Sequence, residues 1–122
     1  MRLRLLEIEL GVVNPQKSRD FYQQALGMAP AVDQEHLKVF NLANNQIDFN
    51  ISTHFKPKET CITFLTDNLD EMMLKLKHES ILFEGPSMSH LGMLTIVFKD
   101  PDGYLIKVNQ ATDESPEWLR LI

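Results

Sequence analysis

The most informative stretch of this 122-residue chain is Leu10–Met28, which reads LGVVNPQKSRDFYQQALGM. Asn14 followed by Pro15 is typical of a helix start, because asparagine caps free backbone amides and proline fits the first helical turn. Gly27 is typical of a helix end, where glycine adopts the left-handed conformation easily. Upstream, Glu7 and Glu9 alternate with apolar residues, which predicts a strand with one polar face. The stretch therefore predicts a strand followed by a helix.

Outward from this stretch, three short strands complete the first half of the chain. They are predicted at Ala31–Asp33, His36–Leu42 and Gln46–Ser52, and Asn44–Asn45 supplies the turn between the last two. The first half thus has the order strand, helix and three strands.

The second half repeats this order. An apolar strand is predicted over Cys61–Thr66, and Asn68 caps a helix that ends near His78–Ser80. Three strands follow, at Ile81–Phe83, Met93–Lys99 and Tyr104–Asn109. Asp100–Gly103 joins the last two through a type I turn with a bulge, since proline and glycine suit that turn. The repeated order predicts an internal duplication of a βαβββ unit.

Composition and charge exclude several classes of protein. Cys61 is the single cysteine, so an intramolecular disulfide is impossible and a cytoplasmic location is expected. The net charge of −5 disfavours nucleic acid as a partner. No run of 18 apolar residues exists, so the sequence predicts no membrane span and no membrane partner.

Two motifs resemble those of one family, the vicinal oxygen chelate (VOC) superfamily, also called the glyoxalase, bleomycin-resistance and extradiol-dioxygenase group. The first is Leu10–Met28, with its Ser-x-x-Phe-Tyr and Leu-Gly signatures, and the second is Lys99–Gln110, which reads KDPDGYLIKVNQ. The resemblance implies an α+β fold in one domain, residues 1–122. Two βαβββ modules, at about residues 3–53 and 60–110, form a curled mixed sheet with helices outside and a concave pocket, and residues 111–122 form a C-terminal tail.

The resemblance also implies where a divalent metal lies in enzymes of the group. The four corresponding positions are Glu7, Asp48, Cys61 and Lys107. A protonated lysine has no lone pair for a metal, so we expect neither a metal nor another cofactor, with Lys107 compensating the carboxylates instead. A bound divalent metal ion is the alternative.

The same strand faces extend the candidate pocket to Glu9, Asn50, Thr63 and Asn109. Simpler interpretations stay open: a solvated strand face for Glu7 and Glu9, a surface lysine for Lys107, a small buried hydrophobe for Cys61, and Asn50 in the place of Asp48 if the register differs by two residues.

The four histidines lack the spacing of a metal site. His36, His54, His78 and His90 are therefore predicted as surface residues. Alternatively, His54 and His90 reach the mouth of the pocket, because Pro86–Gly92 resembles the flexible loop through which related proteins admit ligands.

The C-terminal tail ends in apolar residues, among them Trp118, Leu119 and Leu121, which are costly to leave in water. The tail therefore folds back on its own domain or docks on a neighbouring subunit, and a homodimer is expected.

Three functions are consistent with these patterns. The first is a bleomycin-resistance-like protein that binds a small, partly apolar molecule in a metal-free pocket. The second is a metal-dependent lyase, isomerase or dioxygenase of the same superfamily. The third is a metal-independent enzyme in which Glu7 or Lys107 acts as acid or base.

Overall fold

The computed structural model describes residues 1–44 and 46–122, and these form two compact units. The first unit is Leu6–Cys61, and the second unit combines Met1–Leu5 with Ile62–Ile122. The element order is β1 (Leu3–Gly11), α1 (Pro15–Leu26), β2 (Val32–Asp33), β3 (Leu37–Leu42), β4 (Ile47–Ser52), β5 (Thr60–Thr66), α2 (Leu69–His78), β6 (Glu84–Met88), β7 (Leu94–Lys99), β8 (Leu105–Gln110) and α3 (Glu117–Arg120). Both βαβββ series and the α+β class are confirmed.

In the first unit the strands lie in the order β2-β3-β4-β1. β1 and β4 are parallel, whereas β3 pairs antiparallel with β2 and with β4. Tyr22 of α1 packs against Phe40 and Phe49, with ring centroids 6.1 and 5.0 Å away. This aromatic cluster attaches α1 to one face of the sheet and leaves the opposite face for polar side chains.

The predicted ends of α1 are confirmed. Asn14 Oδ1 accepts hydrogen bonds from the backbone amides of Gln16 and Lys17, at 3.0 and 3.2 Å. Gly27 ends the helix with φ of 69°, in the left-handed region. These signals lie within the helix and its caps, which is why the sequence alone revealed them.

In the second unit the strands lie in the order β5-β8-β7-β6, and β7 is antiparallel to both of its neighbours. Leu69 and Leu76 of α2 are buried together with Ile96 and Val108. Asn68 caps α2, because its Oδ1 accepts a hydrogen bond from the Glu71 amide at 3.0 Å. The predicted turn also forms: Gly103 N donates to Asp100 O at 3.0 Å, and Gly103 has φ of 88°.

The strand predicted at Ile81–Phe83 is wrong. Ser80 has φ of 58°, and the amides of Ser80 and Ile81 donate to the carbonyls of Lys77 and Leu76. These bonds form a Schellman motif, which uses the backbone of Ile81 to end α2. The strand therefore starts later, at Glu84.

The loop predicted at Pro86–Gly92 is also corrected. Its first three residues belong to β6, and His90–Gly92 forms a short 3-10 turn. Other strand ends shift by one residue or two. The predicted Asn44–Asn45 turn includes Asn45, which lies outside the described residues.

The C-terminal tail forms α3 and separates its apolar residues. Leu119 is buried, whereas Trp118 and Leu121 are exposed. Within the described residues, no helix is long and apolar enough to cross a membrane.

Candidate functional site

Parallel pairing of β1 with β4 gathers polar side chains on one face of the first unit. The register places Glu7 beside Asp48, Glu9 beside Asn50 and Gly11 beside Ser52. Because side chains alternate along a strand, these positions share a face. Four predicted site residues, Glu7, Glu9, Asp48 and Asn50, are thus neighbours on two adjacent strands.

Glu9 is held at the centre of this face. Its Oε2 accepts a hydrogen bond from Ser52 Oγ at 2.7 Å and lies 3.1 Å from His54 Nδ1. Ser52 is buried, and its Oγ also accepts the His54 backbone amide at 3.2 Å. The Glu9 side chain is only 12% exposed. The simpler interpretation of a solvated strand face therefore does not apply to Glu9.

Asn50 lies between the two glutamates. Its Nδ2 is 3.4 Å from both Glu7 Oε2 and Glu9 Oε1. Its Oδ1 is buried and has no hydrogen-bond partner among the described residues. A buried acceptor without a partner costs about 1–3 kcal/mol.

Asp48 and Cys61 have different surroundings from the two glutamates. Asp48 Oδ1 accepts a hydrogen bond from Asn41 Nδ2 at 2.5 Å, across the β3–β4 pair. The thiol of Cys61 is buried in the first unit. Burial agrees with the interpretation of Cys61 as a small hydrophobe.

The remaining predicted residues belong to the second unit. Lys107 and Asn109 share a face of β8, where they pair with Val97 and Thr95 of β7. Asn109 is buried, and its Oδ1 accepts a hydrogen bond from Thr95 Oγ1 at 2.7 Å. Thr63 is also buried, on β5.

Sequence reasoning missed the roles of Ser52, Thr95 and Ser89 and the contact of His54 with Glu9. Thr95 Oγ1 lies 2.7 Å from Ser89 Oγ as well as from Asn109 Oδ1. A signal for the first unit was present: polar residues occupy every second position at Asp48, Asn50, Ser52 and His54. The surface prediction agrees with the exposure of all four histidines, His36, His54, His78 and His90.

Comparison with protein families decides the relationship. A model described as "Glyoxalase/Bleomycin resistance protein/Dioxygenase superfamily" matches residues 4–108, which is most of the chain. The chain belongs to the Glyoxalase/Bleomycin resistance protein/Dioxygenase superfamily. The resemblance found in the two sequence motifs is thereby confirmed.

Solved structures of similar fold include another member of this superfamily and an enzyme. A glyoxalase/bleomycin resistance protein/dioxygenase superfamily member from Vibrio splendidus 12B01 has a TM-score of 0.67 and 18% identity, covering 89% of this chain and 99% of that chain. Methylmalonyl-CoA epimerase from Mycobacterium tuberculosis has a TM-score of 0.63 and 13% identity, covering 93% of this chain and 89% of that chain.

A structure described as NAD-dependent benzaldehyde dehydrogenase from Legionella pneumophila has a TM-score of 0.65 and 19% identity, covering 87% of this chain and 98% of that chain. At these identities the likeness concerns the fold alone. The search of curated proteins found no match.

The residues present are a poor fit for the divalent metal ion that the sequence resemblance implies. Among the described residues, no three His, Cys, Asp or Glu side chains are arranged to hold a metal ion. Asp48 is engaged by Asn41, and the thiol of Cys61 is buried. Lys107 offers an ammonium group, which has no lone pair. The donor set at the four positions therefore does not suit a divalent cation.

Proposed function

We propose that this superfamily member binds a small, partly apolar molecule without a metal ion, as a bleomycin-resistance-like binding protein. One observation carries the proposal: the Glu9 carboxylate is held in place by a hydrogen bond from Ser52 Oγ at 2.7 Å and by His54 Nδ1 at 3.1 Å. A carboxylate used in this way is pre-organised for ligand recognition, because its orientation is fixed before a ligand arrives.

The charge of the face indicates the chemistry of the ligand. Glu7 and Glu9 are adjacent on one side of β1, and both lie within 3.4 Å of Asn50 Nδ2. Carboxylates accept hydrogen bonds and attract cations. We therefore expect the ligand to carry an amine or several hydrogen-bond donors next to its apolar part.

Two enzymatic functions compete with this proposal. The first is a metal-dependent lyase, isomerase or dioxygenase of the superfamily. Methylmalonyl-CoA epimerase, an isomerase by name, is among the proteins of similar fold. An ammonium group at position 107 argues against this metal-dependent function, because a cation there repels a metal ion. The other alternative is metal-independent chemistry with Glu7 or Lys107 as acid or base.

The proposal includes a cellular location and an oligomeric state. A single cysteine is consistent with a cytoplasmic protein. The exposed Trp118 and Leu121 are consistent with a homodimer, in which a second copy covers them.

The first test is metal content, measured by mass spectrometry on protein purified without chelator and without nickel affinity resin. The proposal expects far less than one transition-metal ion per chain. A stoichiometric metal would overturn it and favour the metal-dependent enzymes.

The second test is ligand binding by thermal shift, with a panel of partly apolar amines and a matched panel of partly apolar carboxylic acids. Amines are expected to raise the melting temperature, since a ligand at 100 times its Kd stabilises by about 2.7 kcal/mol. Glu9→Gln should reduce the shift, whereas Glu35→Gln, at an exposed glutamate of the same unit, should preserve it. No shift with either panel would contradict the binding role.

A further inference from the structure

The pair formed by Glu9 and His54 has the geometry of an acid–base centre. His54 follows β4 and reaches back to β1, so that its Nδ1 lies 3.1 Å from Glu9 Oε2. We propose that His54 is a general base that takes a proton from a weakly acidic bound molecule, and that Glu9 is its positioning residue. This goes beyond the proposed binding role and uses neither Glu7 nor Lys107.

The position of the carboxylate fixes the tautomer of the imidazole. A carboxylate accepts hydrogen bonds, so in the neutral imidazole it selects the tautomer with the hydrogen on Nδ1 and the lone pair on Nε2. The two ring nitrogens point in different directions, which directs Nε2 away from Glu9. The His54 side chain is 55% exposed, whereas that of Glu9 is 12% exposed. The pair therefore combines a largely buried carboxylate with a partly exposed imidazole.

Ser52 holds both members of the pair. Its hydroxyl donates to Glu9 Oε2 at 2.7 Å and accepts the His54 backbone amide at 3.2 Å. One buried side chain thus fixes the carboxylate and the start of the loop that carries the imidazole. A histidine oriented by a neighbouring carboxylate is a recurring arrangement of general bases.

The other histidine of the same unit lacks this arrangement. His36 Nε2 is 3.9 Å from Glu35 Oε2, which is beyond a hydrogen bond, and both side chains are largely exposed. His36 therefore provides a matched control.

The probe is 5-nitrobenzisoxazole, whose ring opens when a base removes the proton from C3. The proton moves to His54 Nε2, the C–H electron pair forms the nitrile, and the N–O bond breaks to release 2-cyano-4-nitrophenolate. The imidazolium then returns its proton to water. The reaction needs no metal, oxidant or nucleophile, so its rate measures base strength and access alone.

The full chain is expected to open the probe with a second-order rate constant about tenfold above that of His54→Gln. This increase is modest compared with the contribution of evolved general bases. Glu9→Gln should give an intermediate rate, since the amide no longer selects the tautomer or stabilises the imidazolium. His36→Gln should retain the original rate. Probe deuterated at C3 should react several-fold more slowly with the unmodified chain, a readout that altered folding does not mimic.

A measurement on the unmodified chain covers the case in which a variant fails to fold. Diethyl pyrocarbonate modifies accessible imidazoles, and peptide masses show which histidines have reacted. Loss of probe opening is expected to follow modification of His54. Equal rates in His54→Gln and the unmodified chain, or loss that follows His36, His78 or His90 instead, would overturn the proposal. The binding role is tested separately by thermal shift, so either proposal can fail alone.

Discussion

Lys38 Nζ lies 2.5 Å from Asp33 Oδ1, although the lysine side chain is only 1% exposed. The ammonium also donates to the carbonyl of Gln34. Arg19 of α1 reaches the other carboxylate oxygen of Asp33 at 2.7 Å. A buried ammonium needs such partners, because an unpaired charge away from water is strongly destabilising. Asp33 therefore joins α1, β2 and β3 in the first unit.

This relationship predicts an acid-sensitive contribution to stability. The Lys38 ammonium, and after it the Arg19 guanidinium, hold the pKa of Asp33 below its usual value of 3.8. A carboxyl group with a lowered pKa in the folded state stabilises the protein above its usual pKa, and the contribution disappears as the pH falls through the lowered value. Asp33→Asn should therefore lower the melting temperature at pH 7 and have little effect well below pH 3.8.

The control for this prediction is Asp20→Asn, because Asp20 contacts Arg19 at 2.9 Å from a more exposed position. Its effect at pH 7 should be smaller than that of Asp33→Asn. Thermal unfolding followed by circular dichroism measures both. Equal effects of Asp33→Asn at the two pH values would contradict the assigned role of the ion pair.

Ser52→Ala is expected to destabilise the protein by about 2 kcal/mol, the scale of a hydrogen bond to a charged group. The change removes the donor to Glu9 and the acceptor for the His54 amide. Chemical denaturation gives the free energy of unfolding. Ser87→Ala, at an exposed position of β6, should change it by less than about 0.5 kcal/mol. Similar free energies of unfolding for Ser52→Ala and Ser87→Ala would show that the hydrogen bonds of Ser52 do not stabilise the first unit.

Gly11→Ala should be among the more destabilising single substitutions in the first unit. A Cβ at this position would lie 2.0 Å from the backbone oxygen of Lys56, so the backbone has to move. We expect a loss of about 3 kcal/mol, at the upper end of the usual cost of overpacking.

Gly27→Ala is the matched control for crowding at Gly11. Gly27 has φ of 69° but no atom within 4 Å of an added Cβ, so only the conformational penalty of about 1 kcal/mol applies. Denaturation of both variants separates the steric cost from the conformational one. A smaller loss of unfolding free energy for Gly11→Ala than for Gly27→Ala would show that the backbone at Lys56 moves aside at little cost.

Lys107→Glu tests whether the lysine has replaced a metal ion. If the four aligned positions are correct, a carboxylate at position 107 should create measurable affinity for a divalent cation, detected by calorimetry with Zn²⁺ or Mn²⁺. Lys99→Glu makes the same charge change on β7 and should create none. Absence of metal affinity in Lys107→Glu would show that the lysine alone does not keep a metal ion out.

The chain is expected to form a homodimer in solution. Light scattering at micromolar concentration should give about twice the chain mass of 14.1 kDa. Trp118 and Leu121 expose apolar surface that a second copy would cover in the proposed homodimer. Trp118→Ser should therefore weaken association while the buried Leu119 keeps α3 in place. A monomeric mass for the unmodified chain would refute the homodimer.

Local signals explain which parts of the fold were predictable. Asn14 and Gly27 bound α1 through bonds to residues at most five positions away, and the Asp100–Gly103 turn closes on itself. The failure at Ile81–Phe83 has a local cause as well, because Ser80 adopts a left-handed conformation that glycine usually signals. A serine gives no such warning, so the end of α2 and the start of β6 were misplaced.

The candidate site required longer-range information. Alternation along β1 and β4 predicted the polar positions Glu7, Glu9 and Asn50, since a strand repeats every two residues. The partnership of Glu9 with His54 spans 45 positions of the sequence, and only the parallel register of β1 with β4 brings the two together.

By itself, the sequence determined the order of the elements, the polar face of β1 and the superfamily, because these follow from local periodicity and short motifs. Tertiary structure alone decided that Lys38 is buried against Asp33 and that His54 contacts Glu9. The physical reason is that burial and hydrogen-bond geometry depend on which strands become neighbours, and pairing between distant strands is not encoded in any one segment of the chain.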